Sequence, residues 1–79
     1  MKTNGFSIVK VGMKVVYRGS WGTGPRATAE ILDMELCESE HEKYGEPVSE
    51  VSIKDLRRCC LDLSDNHWAY GYQIEEIIG

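Results

Sequence analysis

Cys37, His41, Cys59 and Cys60 are of the types that hold zinc. Structural zinc sites commonly pair their ligands about two to four residues apart. The adjacent Cys59 and Cys60 suit that chemistry poorly, because neighbours on a strand point to opposite faces. Cys59 is expected to be a small core residue, and no metal or cofactor is expected. His41 between Glu40 and Glu42 has the residue types for acid and base work, but a flexible acidic loop lacks the rigid surroundings that catalysis needs. The plain alternative is a solvated charged face. His67 has no identifiable nucleophile or orienting partner beside it. Without a convergent pair of catalytic groups, and with too little chain for a deep pocket, no enzyme is expected.

Anion chemistry has two candidates. Gly19, Gly22 and Gly24 could cradle a phosphate with backbone amides. That loop lacks the Gly-Lys-Ser/Thr ending of a nucleotide-binding loop and lies between apparent strands, with no helix N-terminus behind it. Lys54, Arg57 and Arg58 form the only compact basic cluster, and with Lys14 and Arg18 they could contact phosphates or an acidic partner. Neutralisation by Glu38, Glu40, Glu42, Glu46 and Glu50 is the favoured reading of these cations, since the formal net charge is -4. An acidic chain is repelled at long range by nucleic acid and anionic lipid, which lowers the expectation of either partner, although salt screening leaves room for a local basic patch.

The aromatic set Tyr17, Trp21, Trp68, Tyr70 and Tyr72 is the most informative feature, because exposed rings dominate many interfaces. For Trp68 and Tyr70 the question is decided by one hairpin. A two-residue loop at Asp65 and Asn66 sets Leu63 opposite Trp68 and Leu61 opposite Tyr70, turning both rings inward. A three-residue loop turns His67 and Ala69 inward and presents the rings to solvent. The first arrangement is favoured, since large rings fill small barrels. Trp21, in a glycine-rich loop, is the better candidate for an exposed contact, or for a lid over the barrel end.

The elements that must position these groups are strands. At 79 residues the chain is expected to be one domain, 1-79, with residues 1-10 a flexible or extended arm. Lys14 to Arg18 is β-branched and aromatic between glycines, a first strand. The Gly19 to Arg26 segment suits a long hairpin loop with positive-φ corners. From Ala27 to Leu36 the apolar residues fall first at odd and then at even positions, which fits a helix or a strand with a bulge near Ile31 and Leu32; the strand is favoured. Cys37 to Pro47 is an acidic loop, and Val48 to Ile53 the next strand. Lys54 to Arg58 is a turn or short helical connection. Cys59 to Leu63 and His67 to Tyr70 form a hairpin, and a 3₁₀ turn at Gly71 leads to a closing strand with Ile74 and Ile77 buried.

An odd set of three cysteines is no secreted disulfide framework, and MKTNGFSIVKVGMK lacks the roughly 7 to 15 apolar residues of a secretory signal. No segment is apolar enough to span a bilayer. A reducing cytoplasm is the expected location.

The stretch VGMKVVYRGSWGTGP, followed by a long strand, resembles the first hairpin of Src-homology-3-like barrels of the Tudor and ribosomal type, and DNHWAYGYQIEEI is similar to their last hairpin and 3₁₀ turn. The whole looks like a small bacterial or prophage-encoded protein of this fold. The resemblance implies an all-β, five-stranded barrel with a short 3₁₀ turn near the C-terminus. It carries no activity, because the ring cage of Tudor-type methyl-lysine readers cannot be placed from the sequence and the paired prolines of peptide-binding signalling domains are missing. The expectation is a non-catalytic protein-interaction module using Tyr17, Trp21, Tyr70 and Tyr72, with Arg18, Arg57 and Arg58 nearby. The alternative is a nucleic-acid accessory that stacks bases on the same rings and uses Arg18, Arg26, Arg57 and Arg58. A homo-oligomer through an open sheet edge is a further possibility, and the oligomeric state is unknown.

Overall fold

The computed structural model describes residues 1–79 and is all-β. Its strands are β1 (Ile8–Lys10), β2 (Lys14–Arg18), β3 (Arg26–Leu36), β4 (Glu46–Val48), β5 (Glu50–Ser52), β6 (Cys59–Leu63), β7 (Trp68–Tyr70) and β8 (Ile74–Ile77). Three 3₁₀ segments join them, at Ser20–Gly22, Ile53–Arg58 and Gly71–Gln73. The main sheet runs in the order β7-β6-β3-β2-β8, with β4 paired to β3 off this path, and β1 pairs with β5 in a separate two-stranded sheet. No helix is long and apolar enough to cross a membrane.

The long strand β3 organises the sheet. Its pairing to β6 slips between Ile31 and Asp33, so Leu32 faces solvent while Ile31 and Met34 are both buried. That slip is the flip in alternation seen in the sequence, and it lets the first half of β3 pair with β2 and the second half with β4 and β6. Ile31, Leu56, Leu61, Ile77, Val9 and Val15 are the largest wholly buried apolar side chains.

Three expectations change. The segment Val48 to Ile53 is not one strand: it breaks at Ser49, whose carbonyl accepts the Val11 N–H at 3.0 Å, so β4 serves the main sheet and β5 the small one. The first ten residues are not a free arm: they turn at Asn4 and Gly5, end in β1 and are tied down. Val9 is wholly buried, the Lys2 N–H donates to the Glu75 carbonyl at 2.7 Å, and Asn4 Nδ2 donates to the Ile77 carbonyl at 2.7 Å. Finally, the sheet is open rather than closed by a continuous ladder, because β7 and β8 are its edges. Gln73, a buried polar residue, stands at this seam. Its Oε1 accepts the Tyr70 N–H at 2.8 Å and its Nε2 donates to the Arg18 carbonyl at 2.9 Å, so one side-chain amide links β7 to β2.

Candidate interaction surface

The β6-β7 hairpin adopts the register that the sequence reading disfavoured. Leu63 N–H donates to the His67 carbonyl at 2.9 Å, which leaves a three-residue loop of Ser64, Asp65 and Asn66. Asn66 takes φ 68, the left-handed closing position of such loops, and Asp65 Oδ1 accepts the His67 N–H at 3.1 Å. Leu61 therefore faces Ala69, Asp62 faces Trp68 and Cys60 faces Tyr70. Ala69 fills the core, and both rings lie on the opposite side of the strand.

That register assembles a cluster centred on Tyr70. Trp68 meets it edge-on with centroids 5.0 Å apart, Tyr72 stacks on it at 5.5 Å, and Trp21 leans on it at 5.5 Å. These separations suit favourable aromatic pairs. Tyr70 is consequently only 8% exposed although it is outside the main core, whereas Trp68 is 41% and Trp21 68% exposed. Part of the acidic loop lies against the same rings. His41 is edge-on to Tyr72 at 5.4 Å and to Tyr70 at 6.2 Å, and Lys43 Nζ stands 4.4 Å from the centroid of Trp68.

Trp21 is held out by a strained turn. Ser20, Trp21 and Gly22 all have positive φ, at 51, 61 and 93. A left-handed backbone costs a residue with a Cβ about 1–2 kcal/mol, so two such residues in succession require support from their surroundings. Arg18 supplies part of it: its Nη1 donates to the Gly24 carbonyl at 3.0 Å, while its Nε binds Glu75 at 2.8 Å. The positive-φ corners expected of this loop fall partly on Ser20 and Trp21, and Gly19 is extended.

Between this loop and the β6-β7 turn lies an open cavity of about 530 Å³, lined in part by Pro25, Ser20, His67 and Trp68. A smaller cleft of about 150 Å³ between Trp21, Trp68 and Tyr70 shares Gly19, Ser20 and Trp68 with it. Tyr17 does not offer an exposed ring. It is 2% exposed and packs in the core, with only its hydroxyl reaching toward the cavity, where it donates to Asp65 Oδ2 at 2.5 Å with His67 Nδ1 at 3.1 Å. Burial pushes the phenol up to about 12, reinforced by the Asp65 carboxylate. Burial pulls the Asp65 carboxyl upward too, but the Tyr17 hydroxyl and the His67 N–H outweigh it and hold it below its ordinary value.

The arginines are paired with acids. Arg57 meets Glu40 at 2.7 Å, Arg58 meets Asp55 at 3.5 Å, and Arg18 and Arg26 share Glu75 at 2.8 and 3.0 Å. Compensation therefore holds for Arg18, Arg57 and Arg58, with only Glu40 among their partners from the expected acidic set, whereas Lys14 and Lys54 of the same group form no ion pair. The Arg57 hydrogen bond lowers the Glu40 carboxyl. Cys37, Cys59 and Cys60 are buried free thiols, and burial pushes Cys59 and Cys60 up to about 11, which keeps them protonated and unreactive at neutral pH.

Of the residues singled out from the sequence, the structure brings Trp21, Tyr70 and Tyr72 together, with Arg57 beside Tyr72 along a shallow groove. Arg18 positions the Trp21 loop, and Arg58 lies on the Ile53–Arg58 segment with its own acid. Sequence reasoning left out Trp68, His41 and Lys43 as contacts. Asn66 closes the two-residue and the three-residue turn alike, so it gave no signal for Trp68, and no local pattern marks Lys43. Compared with protein-family models, curated proteins and solved structures, the chain matches none.

Proposed function

We propose that this chain is a non-catalytic protein-interaction module of Src-homology-3-like barrel type, which takes a peptide or loop of a partner across the groove formed by Trp21, Trp68, Tyr70 and Tyr72. The observation that carries the reading is Trp21, two-thirds exposed on two successive left-handed residues with side chains. Nothing in the core requires that ring, and a strained backbone that displays a large apolar surface is a cost without benefit to an isolated domain. Trp68 continues the surface, and the linked cavities on either side of it give an extended chain a path.

The arginine pairing favours a peptide over nucleic acid. Phosphate binding draws on unpaired cations, and Arg18, Arg26, Arg57 and Arg58 each have a carboxylate partner. Selection of a random displayed-peptide library on the immobilised protein tests the reading. Sequences enriched by the wild type should bind Trp21→Ala and Trp68→Ala at least about tenfold more weakly, as for central aromatic contacts, while both variants keep the wild-type fold by circular dichroism. Enrichment that is indifferent to both substitutions would sink it.

A further inference from the structure

The Glu38–Tyr44 loop is attached to the protein by side chains. None of its residues makes a backbone-to-backbone hydrogen bond to the rest of the protein. What holds it is the Arg57–Glu40 pair at 2.7 Å, the Cys37 Sγ contact to the Glu42 carbonyl at 3.4 Å, and its own placement of His41 and Lys43 on the rings. Arg57 and Glu40 are both substantially exposed, and exposed pairs hold loops weakly. Lys43 is the one cation in a stretch that also carries Glu38, Glu40, Glu42 and Glu46, and it rests on the face of an exposed tryptophan.

We propose, building on the interaction reading above, that Lys43 is an internal occupant of the Trp68 face and that the partner is a lysine- or arginine-bearing peptide segment whose cation takes its place. The chemistry is on the page. The ring already binds an ammonium group at 4.4 Å, so its face is accessible and suitably oriented for a cation. Glu38, Glu40, Glu42 and Glu46 make the stretch that carries Lys43 acidic, a charge that complements a basic segment. The weak anchoring lets the loop release, so the internal lysine sets a threshold that a partner with several cations exceeds and a stray amine does not.

The test is an NMR titration of the full chain, read at the Trp21 and Trp68 indole N–H signals. The probe is the peptide acetyl-Gly-Arg-Gly-Lys-Gly-Arg-Gly-amide, against the same peptide with glutamine at each cationic position. Lys43→Met should bind the cationic peptide about two- to fivefold more tightly than wild type, the range of one exposed cation–π contact. Lys10→Met, which makes the same change in net charge on β1, should give a smaller gain, and the glutamine peptide should leave Trp68 unmoved. The inference is overturned if Lys43→Met gains no more than Lys10→Met, if the glutamine peptide binds equally well, or if an octathymidylate single strand moves the same signals more strongly. Library-selected neutral peptides that move both indoles while the cationic peptide does not would overturn the cation preference alone. If neither class moves them, the groove reading falls with it.

Discussion

The Tyr17 hydroxyl joins the core to the β6-β7 turn through Asp65, and the two groups give that link opposite pH limits. Tyr17 titrates near 12, above its ordinary 10.0, so the stability it contributes is complete below about pH 10 and is lost as pH rises through 12. Asp65 is lowered from 3.8, so its contribution is complete above that value and is lost as pH falls through the depressed one. Tyr17→Phe should cost about 1 kcal/mol at pH 7, the usual worth of one hydrogen bond, and should flatten the decline between pH 10 and 12. Urea midpoints at pH 7, 10 and 11.5 would show it. An alkaline decline as steep in the variant as in wild type would assign that loss elsewhere. The residue's type was legible as a ring of interest, but its role was not: Lys14 to Arg18 alternates so that Val15 and Tyr17 share the inner face, and the outward hydroxyl finds its partner 48 positions along the chain.

Among the elements, the 3₁₀ turn Gly71–Gln73 is pressed onto the 3₁₀ segment Ile53–Arg58. A Cβ at Gly71 would overlap the carbonyl of Leu56, which is backbone and cannot swing away. Gly71→Ala should therefore destabilise by about 3 kcal/mol or more, beyond ordinary overpacking, with thermal melting as the measure. A melting temperature close to wild type would mean that the two segments are free to separate. Much at this scale was readable in advance: β2, the bent β3, the 3₁₀ turn and buried Ile74 and Ile77 all follow from local alternation and punctuation. The β6-β7 register was not, because two- and three-residue loops share the same residues and differ only in which backbone adopts positive φ. The division of β4 from β5 was equally hidden, since it depends on Val11 reaching Ser49 from a distant segment.

For the whole molecule, Gln73 bridges the open seam where a ladder of main-chain hydrogen bonds is missing. Gln73→Ala should orphan the Tyr70 N–H and the Arg18 carbonyl together and cost about 1–3 kcal/mol. Hydrogen exchange at the Tyr70 amide should accelerate more than at Leu61 in the middle of β6. Equal acceleration at both sites would show global loosening rather than a local opening. The all-β class was legible from the period of the apolar residues. The open edge was not, because local alternation specifies faces and leaves unsettled whether the last strand reaches the first.

The rings themselves come from three stretches of chain, the Ser20–Gly22 turn, β7 and the Gly71–Gln73 turn, and all three border the Gln73 amide: Trp21 and Tyr70 line the same cleft as Gln73, and Tyr72 precedes it. A ligand seated there would act as a clasp between β7 and the end of β2, the strands that Gln73 joins. Recognition and closure would be one event, with the molecule at its most rigid when occupied.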